Sequence, residues 1–229
     1  MFADQEIARR LNEVRDRIAA AATRARRSLD TIRLVLASKT QPPEAIRASY
    51  RAGARDFGEN YVQEAVAKIS ELRDLHDATW HLIGHLQTNK ATLAANNFAM
   101  IQTLDSARLA DAIARAHPSP PMQVLIEVNL GGEATKTGIA PEQVEALIEV
   151  ARDRVDIAGL MTIPPPSENE WETRRYFAQL RELRDRLAAS TGLALSELSM
   201  GMTDDFQTAI EEGATMVRVG RAVFGERAK

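Results

Sequence analysis

Apolar residues alternate between two rhythms along the chain. From Asp4 to about Leu29, Ile7, Leu11, Val14 and Ile18 recur at spacings of four, three and four, the stripe of an amphipathic helix. The arginines between them read as its solvated face. The run Ile32-Arg33-Leu34-Val35-Leu36-Ala37-Ser38-Lys39-Thr40 then has the continuous apolar character of a buried strand, and Pro42-Pro43 stops it. A short helix is predicted over 43–51, ending at Gly53. Residues 55–60 take the place of the second strand, and the helix after them carries the stripe Val62, Ala65, Val66, Ile69 and Leu72.

Strands are predicted at 79–84, 98–104, 122–129, 155–163, 195–200 and 215–219. Helices are predicted from about Asn89, from an Asp105 or Ser106 cap to His117, over the stripe Val144–Ala151, and over 168–189. The last two fall at 204–212 and 221–227. Eight strands alternating with helices, in units of roughly 25 residues, imply parallel strands with helical crossovers. The expected fold is α/β, a single-domain (β/α)8 barrel over about 31–229 with an extra N-terminal helix over about 4–29. An open doubly wound sheet is the alternative. It is weaker because Ala37-Ser38-Lys39-Thr40 has no glycine-rich dinucleotide fingerprint.

Composition removes several function classes. The 229 residues carry 29 basic and 32 acidic side chains, a net charge of −3, so neither nucleic acid nor a membrane surface is an expected partner. Cysteine is absent, which excludes disulfides, a thiolate nucleophile and Cys-ligated metal. The four histidines are scattered at 76, 81, 85 and 117, and no metal site is expected. Asp4, Glu6, Arg9 and Arg10 interrupt any leader-like apolar core, so the expected location is the cytoplasm.

Barrel closure turns the strand ends into a candidate site. Strand one lies beside strand eight in a closed barrel, and function gathers at the C-terminal strand ends. Lys39 and Arg218 are therefore predicted neighbours. A lysine at a strand end is either a surface charge or a desolvated amine able to form a Schiff base with an aldehyde. Ser199-Met200-Gly201-Met202-Thr203 and Gly220-Arg221 are small-residue turns that feed helix N-termini, and such turns expose N–H groups to phosphate. Lysine, phosphate cradle and arginine together suggest pyridoxal 5′-phosphate. Arg218 would donate to its pyridine nitrogen and leave that nitrogen unprotonated, which limits carbanion chemistry.

These residues sit in longer stretches with a family resemblance. They are Ala37-Ser38-Lys39-Thr40, Phe57-Gly58-Glu59-Asn60-Tyr61-Val62-Gln63-Glu64 and the run from Trp80 to Lys90. Further on come Gly159-Leu160-Met161, the run from Ser199 to Phe206, and the run from Val217 to Gly225. In this order the chain resembles the pyridoxal phosphate homeostasis proteins, which are similar to the barrel domain of alanine racemase. The resemblance implies that Lys39 is the Schiff-base lysine and that Ser199, Gly201, Met202, Gly220 and Arg221 belong to the cofactor site. It implies that Arg218 meets the pyridine nitrogen, and that Asn60, His81 and Met161 line the ring pocket. Arg221 departs from the family, whose members often have Thr there.

The implied function is a pyridoxal-phosphate carrier supplying apoenzymes, without a catalytic residue that can be named. The alternative is a racemase or decarboxylase on the same barrel; a cofactor-free Schiff-base aldolase explains less. Both monomer and weak homodimer remain open. Glu127 and Asn129 sit on one strand face, either at the barrel mouth or in a structural network. Lys136 reads as a loop lysine with ligand contact as the other possibility, Asp204 and Asp205 as helix caps, and Trp80 and Trp171 as packing residues.

Overall fold

The computed structural model describes residues 2–116, 119–133 and 137–225. Strands β1 (Arg33–Ala37), β2 (Asp56–Glu59), β3 (Thr79–Leu82), β4 (Met100–Leu104), β5 (Gln123–Glu127), β6 (Asp156–Met161), β7 (Glu197–Ser199) and β8 (Met216–Val219) close into one barrel in sequence order. All paired neighbours are parallel, and β8 returns to β1 with Val35 opposite Arg218 and Leu36 opposite Val219. Helix α1 (Phe2–Arg24) precedes the barrel. One helix then follows each strand: α2 (Pro43–Arg51), α3 (Val62–Glu71), α4 (Ala91–Ala95), α5 (Ala107–Ala116), α6 (Val144–Ala151), α7 (Glu170–Thr191), α8 (Phe206–Glu211) and α9 (Arg221–Phe224).

The strands read as apolar runs because they are covered on both faces. Outward residues such as Leu36, Phe57, Leu82 and Ile101 join the main core under the helices. Met100, Leu125, Met161 and Met216 form a separate cluster, with Ala158 packed against it. Helix α7 starts where the Asn169 side chain accepts from the Trp171 N–H at 3.0 Å. It stops at Gly192, whose φ of +72° is readily adopted by glycine.

Several boundaries differ from expectation. Helix α1 ends at Arg24, and the chain turns through Arg26 at φ +54° before a short 3-10 turn at Leu29–Thr31. Its arginines are not all a solvated face. Arg15 donates to the Ala52 carbonyl at 2.8 Å, Arg17 to Gln207 at 3.0 Å and Arg24 to Glu211 at 2.8 Å. They tie α1 to α8 and to the end of α2. The helix expected from Asn89 is a 3-10 turn at Thr88–Lys90 followed by the short α4. Trp171 is 62% exposed and carries Arg175 over its ring at 5.3 Å, whereas Trp80 is buried beside Phe57. The expected helix end at His117 and the loop lysine Lys136 lie outside the described residues.

The closest backbone approach in the barrel wall is at Gly159 of β6. A Cβ there would stand 1.9 Å from the Glu197 carbonyl oxygen, and the obstacle is backbone that cannot swing aside. Gly159→Ala is expected to lower the unfolding free energy by about 3 kcal/mol, as overpacking of this kind does. Urea denaturation of the two proteins measures it, and an unchanged midpoint would refute the tight contact.

Candidate functional site

Lys39 stands two residues beyond β1, half-buried, in a turn rather than on the strand. Thr40 follows with φ +64°, a left-handed conformation that costs a non-glycine residue about 1 kcal/mol. The next element holds this turn. Glu64, in the first turn of α3, accepts from the Thr40 N–H at 2.9 Å. Glu59, the fully buried end of β2, accepts from the Ser38 hydroxyl at 2.7 Å. Lys68, also buried, donates to the Ser38 carbonyl at 3.0 Å and lies 3.0 Å from Glu59 and 2.7 Å from Glu64.

Lys39 faces a cavity of about 200 Å³ at the C-terminal end of the barrel. Asn60, Met202, Arg218, Gly220 and Arg221 share its wall, together with Thr203 and Ile163. Gly220 permits this because a Cβ there would lie 3.1 Å from the Ala37 carbonyl oxygen. Asn60 is set by Gly84, which leaves no room for a side chain over the Asn60 backbone. The Asn60 Oδ1 atom is buried and has no hydrogen-bond partner. Among the described residues, the Thr203 and Asp204 N–H groups donate to no protein acceptor. The cavity thus combines an amine, an orphaned amide oxygen, two N–H donors and a guanidinium, a donor set that fits a small anionic aldehyde such as pyridoxal phosphate.

The other candidate residues lie beneath or beside this wall. Ser199, ending β7, and Gly201, at φ +92°, brace Arg218: the Ser199 hydroxyl accepts from Arg218 Nη1 at 2.5 Å, and the Gly201 carbonyl accepts from the Arg218 N–H. A Cβ on Gly201 would press on α8, 2.5 Å from the Ala209 Cβ. Met161 belongs to the separate methionine-rich cluster. His81 is 1% exposed, with Nε2 2.9 Å from an Asp56 carboxylate oxygen and Nδ1 3.3 Å from the Gln102 amide nitrogen. Gln102 accepts from Ser199 at 2.6 Å. The donors form one directed series, Arg218 to Ser199 to Gln102 to His81 to Asp56, when His81 is neutral with its proton on Nε2.

Burial pushes the Arg218 guanidinium down to about 10, against the pull of Asp205 and Glu127. It therefore stays charged at neutral pH while bonded to two neutral groups, the Ser199 hydroxyl and the Thr162 carbonyl at 2.9 Å. Asp205 caps α8 by position, but its carboxylate folds back to accept from the Met202 N–H at 2.6 Å. Asp204 is exposed and pairs with Arg221.

Gln102, Glu59 and Lys68 were not among the expected site residues. Lys68 carried a signal: spaced three after Ala65 and four before Leu72, it falls on the buried stripe of α3. Gln102 stands within a strand that is buried throughout.

Glu127 ends β5 with only 4% exposure. Its Oε1 accepts from the Thr137 hydroxyl at 2.6 Å, while Oε2 is buried with no partner. Asn129 turns instead to the Glu133 carbonyl at 2.9 Å. Burial raises the Glu127 carboxyl above its ordinary 4.5, with Thr137 and Arg218 opposing. A raised folded value favours the protonated form. Its stabilisation is thus complete below the unfolded value and lost as pH rises through the folded one. Glu127→Gln is accordingly expected to melt above wild type at pH 7 and level with it near pH 4, read by thermal scans at both pH values. A gap of equal size at both would refute the burial penalty.

The alanine racemase N-terminal domain family matches residues 10–228. The pyridoxal phosphate homeostasis protein of Aquifex aeolicus is 50% identical over 222 residues, covering 95% of this chain and 97% of its own. That of Pseudomonas aeruginosa is 43% identical over 225 residues, covering 96% of each. The structure of PipY from Synechococcus elongatus PCC7942 with PLP bound superposes at a TM-score of 0.85, with 39% identity over 96% of this chain and all of PipY. An arginine decarboxylase of Paramecium bursaria Chlorella virus, at 13% identity and a TM-score of 0.72, shares the barrel fold. Closed barrel, strand-end lysine and full-length similarity agree, and the chain belongs to the pyridoxal phosphate homeostasis protein family, built on the alanine racemase N-terminal domain.

Proposed function

We propose that this protein binds pyridoxal 5′-phosphate in the Lys39 cavity and serves intracellular homeostasis of that cofactor. The observation that carries the reading is the cavity itself, where Lys39, the partnerless Asn60 Oδ1, Arg218 and Gly220 share one wall. The PLP-bound PipY structure and the relatives' shared name support it. When bound, the cofactor supplies an aldehyde carbon for one Schiff-base linkage.

Lys39 supplies the amine for that linkage, and the bonds to Ser38 and Thr40 aim it. The Thr203 and Asp204 N–H groups, with Gly220 and Arg221 on the same wall, would receive the phosphate. Arg218 holds positive charge at the cavity wall. Because it stays protonated, it would donate to the pyridine nitrogen without protonating it, which would weaken the cofactor as an electron sink. Ser199 and Gly201 act from below by fixing Arg218, and His81 acts through Gln102. Met161 contributes packing inside the barrel. Delivery of the cofactor to apoenzymes that require it, a cytoplasmic location and a single barrel domain form part of the same reading. Among the described residues no helix is long and apolar enough to cross a membrane.

The test is the visible absorbance spectrum of the protein with added pyridoxal phosphate, beside Lys39→Ala, before and after borohydride. Wild type is expected to show an imine band that borohydride removes, with the reduced label on the Lys39 peptide. Lys39→Ala is expected to lose the band completely. A wild type with no band and no uptake of pyridoxal phosphate would refute the reading. Racemisation and decarboxylation assays on amino acids separate the carrier from an enzyme of the same barrel.

A further inference from the structure

We infer that Lys68, with Glu59 and Glu64, is a positioning group for Lys39: a buried clamp that sets where the reactive amine stands. The inference rests on the Schiff-base reading above. The clamp grips the chain on both sides of Lys39 and leaves that residue between two fixed points. On the N-terminal side, Ser38 is held three times: its N–H donates to the Gly58 carbonyl at 2.9 Å, its hydroxyl to Glu59 at 2.7 Å, and its carbonyl accepts from Lys68 at 3.0 Å. On the C-terminal side, the Thr40 N–H is held by Glu64 at 2.9 Å.

Lys68 joins the two sides. Its Nζ lies 3.0 and 3.1 Å from the two Glu59 oxygens and 2.7 Å from Glu64, while it bonds the Ser38 carbonyl. One amine thus connects β2, the start of α3 and the turn after β1. The side chains of Lys68 and Glu59 are 8% and 0% exposed, so water does not substitute for these bonds. A buried ion pair is a poor source of net stability, because desolvation offsets most of its attraction. Two carboxylates and an amine kept in so confined a space gain more in placement than in folding energy. The strained Thr40, at φ +64°, fits this view, since left-handed backbone persists only where its surroundings hold it.

The chemistry needs such placement. Imine formation requires the Lys39 nitrogen at the aldehyde carbon, and displacement of a reacting group by about 1 Å costs up to roughly a hundredfold in rate. Lys39 lines the cavity, whereas Lys68 is bonded to three groups of the clamp, so the linkage forms at Lys39.

The experiment uses the full chain stripped of ligand, mixed with pyridoxal phosphate. The growth of the imine band is followed by stopped flow, and the product is reduced with borohydride and mapped by peptide mass. Three variants are compared with wild type: Lys68→Met, the double variant Glu59→Gln/Lys68→Met, which also removes the buried charge, and Glu64→Ala, which releases only the Thr40 N–H and the edge of the clamp. Far-UV circular dichroism and melting report folding separately.

The expected result is native helix content with imine formation at Lys39 slowed by about tenfold or more in both Lys68 variants, and by a smaller factor in Glu64→Ala. Variants that melt earlier yet form the imine at the wild-type rate would show a purely structural clamp and overturn the inference. If the Lys68 variants do not fold, Glu64→Ala decides: a slower rate supports positioning and an unchanged rate overturns it. A wild type that forms no imine overturns both readings, whereas a normal wild type with normal clamp variants overturns only this one.

Discussion

The pairing of β8 with β1 is the constraint on which the site depends. Residues 39 and 218 are brought together only because the last strand closes on the first, with Val35 opposite Arg218 and Leu36 opposite Val219. The Arg33 N–H donates to the Thr215 carbonyl at 2.7 Å at the start of this seam, and Gly220 leans on Ala37 at its end. A side chain at Gly220 would push the two strand ends apart where the cavity opens. The parallel sheet buries both faces, so the seam gains from the helices outside and the packed side chains inside. Helix α1 crosses its outer side, reaching α8 and α9 on one flank and α2 on the other. The N-terminal helix therefore fastens the elements that carry both ends of the site.

Inside the barrel, charge is confined by directed hydrogen bonds. A buried guanidinium whose direct side-chain partners, among the described residues, are a hydroxyl and a carbonyl is costly, and burial lowers its proton affinity. Asp205 and Glu127 act on it through space, without forming an ion pair. An anionic ligand entering the cavity would find a positive charge already desolvated and not neutralised by a bonded carboxylate. The series from Arg218 through Ser199, Gln102 and His81 to Asp56 leaves no member free to turn, since each acceptor is fixed by the next donor.

The fold was largely legible because its signal is periodic. Each strand is a short apolar run, each helix a stripe, and eight repeats make closure the natural architecture. Helix α6 falls on its predicted stripe residue by residue, and α2 on its predicted span. Closure also made Lys39 and Arg218 neighbours before any coordinates, because register across the seam follows from topology. What escaped the sequence was the polar interior. Glu59 and Lys68 are ordinary surface residue types, and only their positions on a buried strand and a buried helix stripe distinguish them. Gln102 interrupts the apolar residues of β4, yet one amide in a strand does not announce which partners it will meet across a barrel. Trp171 misled in the other direction, since a large aromatic on an amphipathic helix suggests the core, and this one stands in the first turn of α7, exposed to solvent with Arg175 over its ring.

In the proposed reading, Lys39 and Lys68 divide two tasks that one lysine cannot perform. An amine that reacts must be able to shed its proton and swing toward a carbon. An amine that organises backbone must stay where its acceptors hold it. Lys68 has the second environment, with two carboxylates and a carbonyl within 3.1 Å. Lys39 stands on a half-buried turn at a cavity wall that Arg218 shares. On that reading, the placement of Lys39 comes from where Glu59 and Glu64 stand, both on the β2–α3 unit that follows the turn.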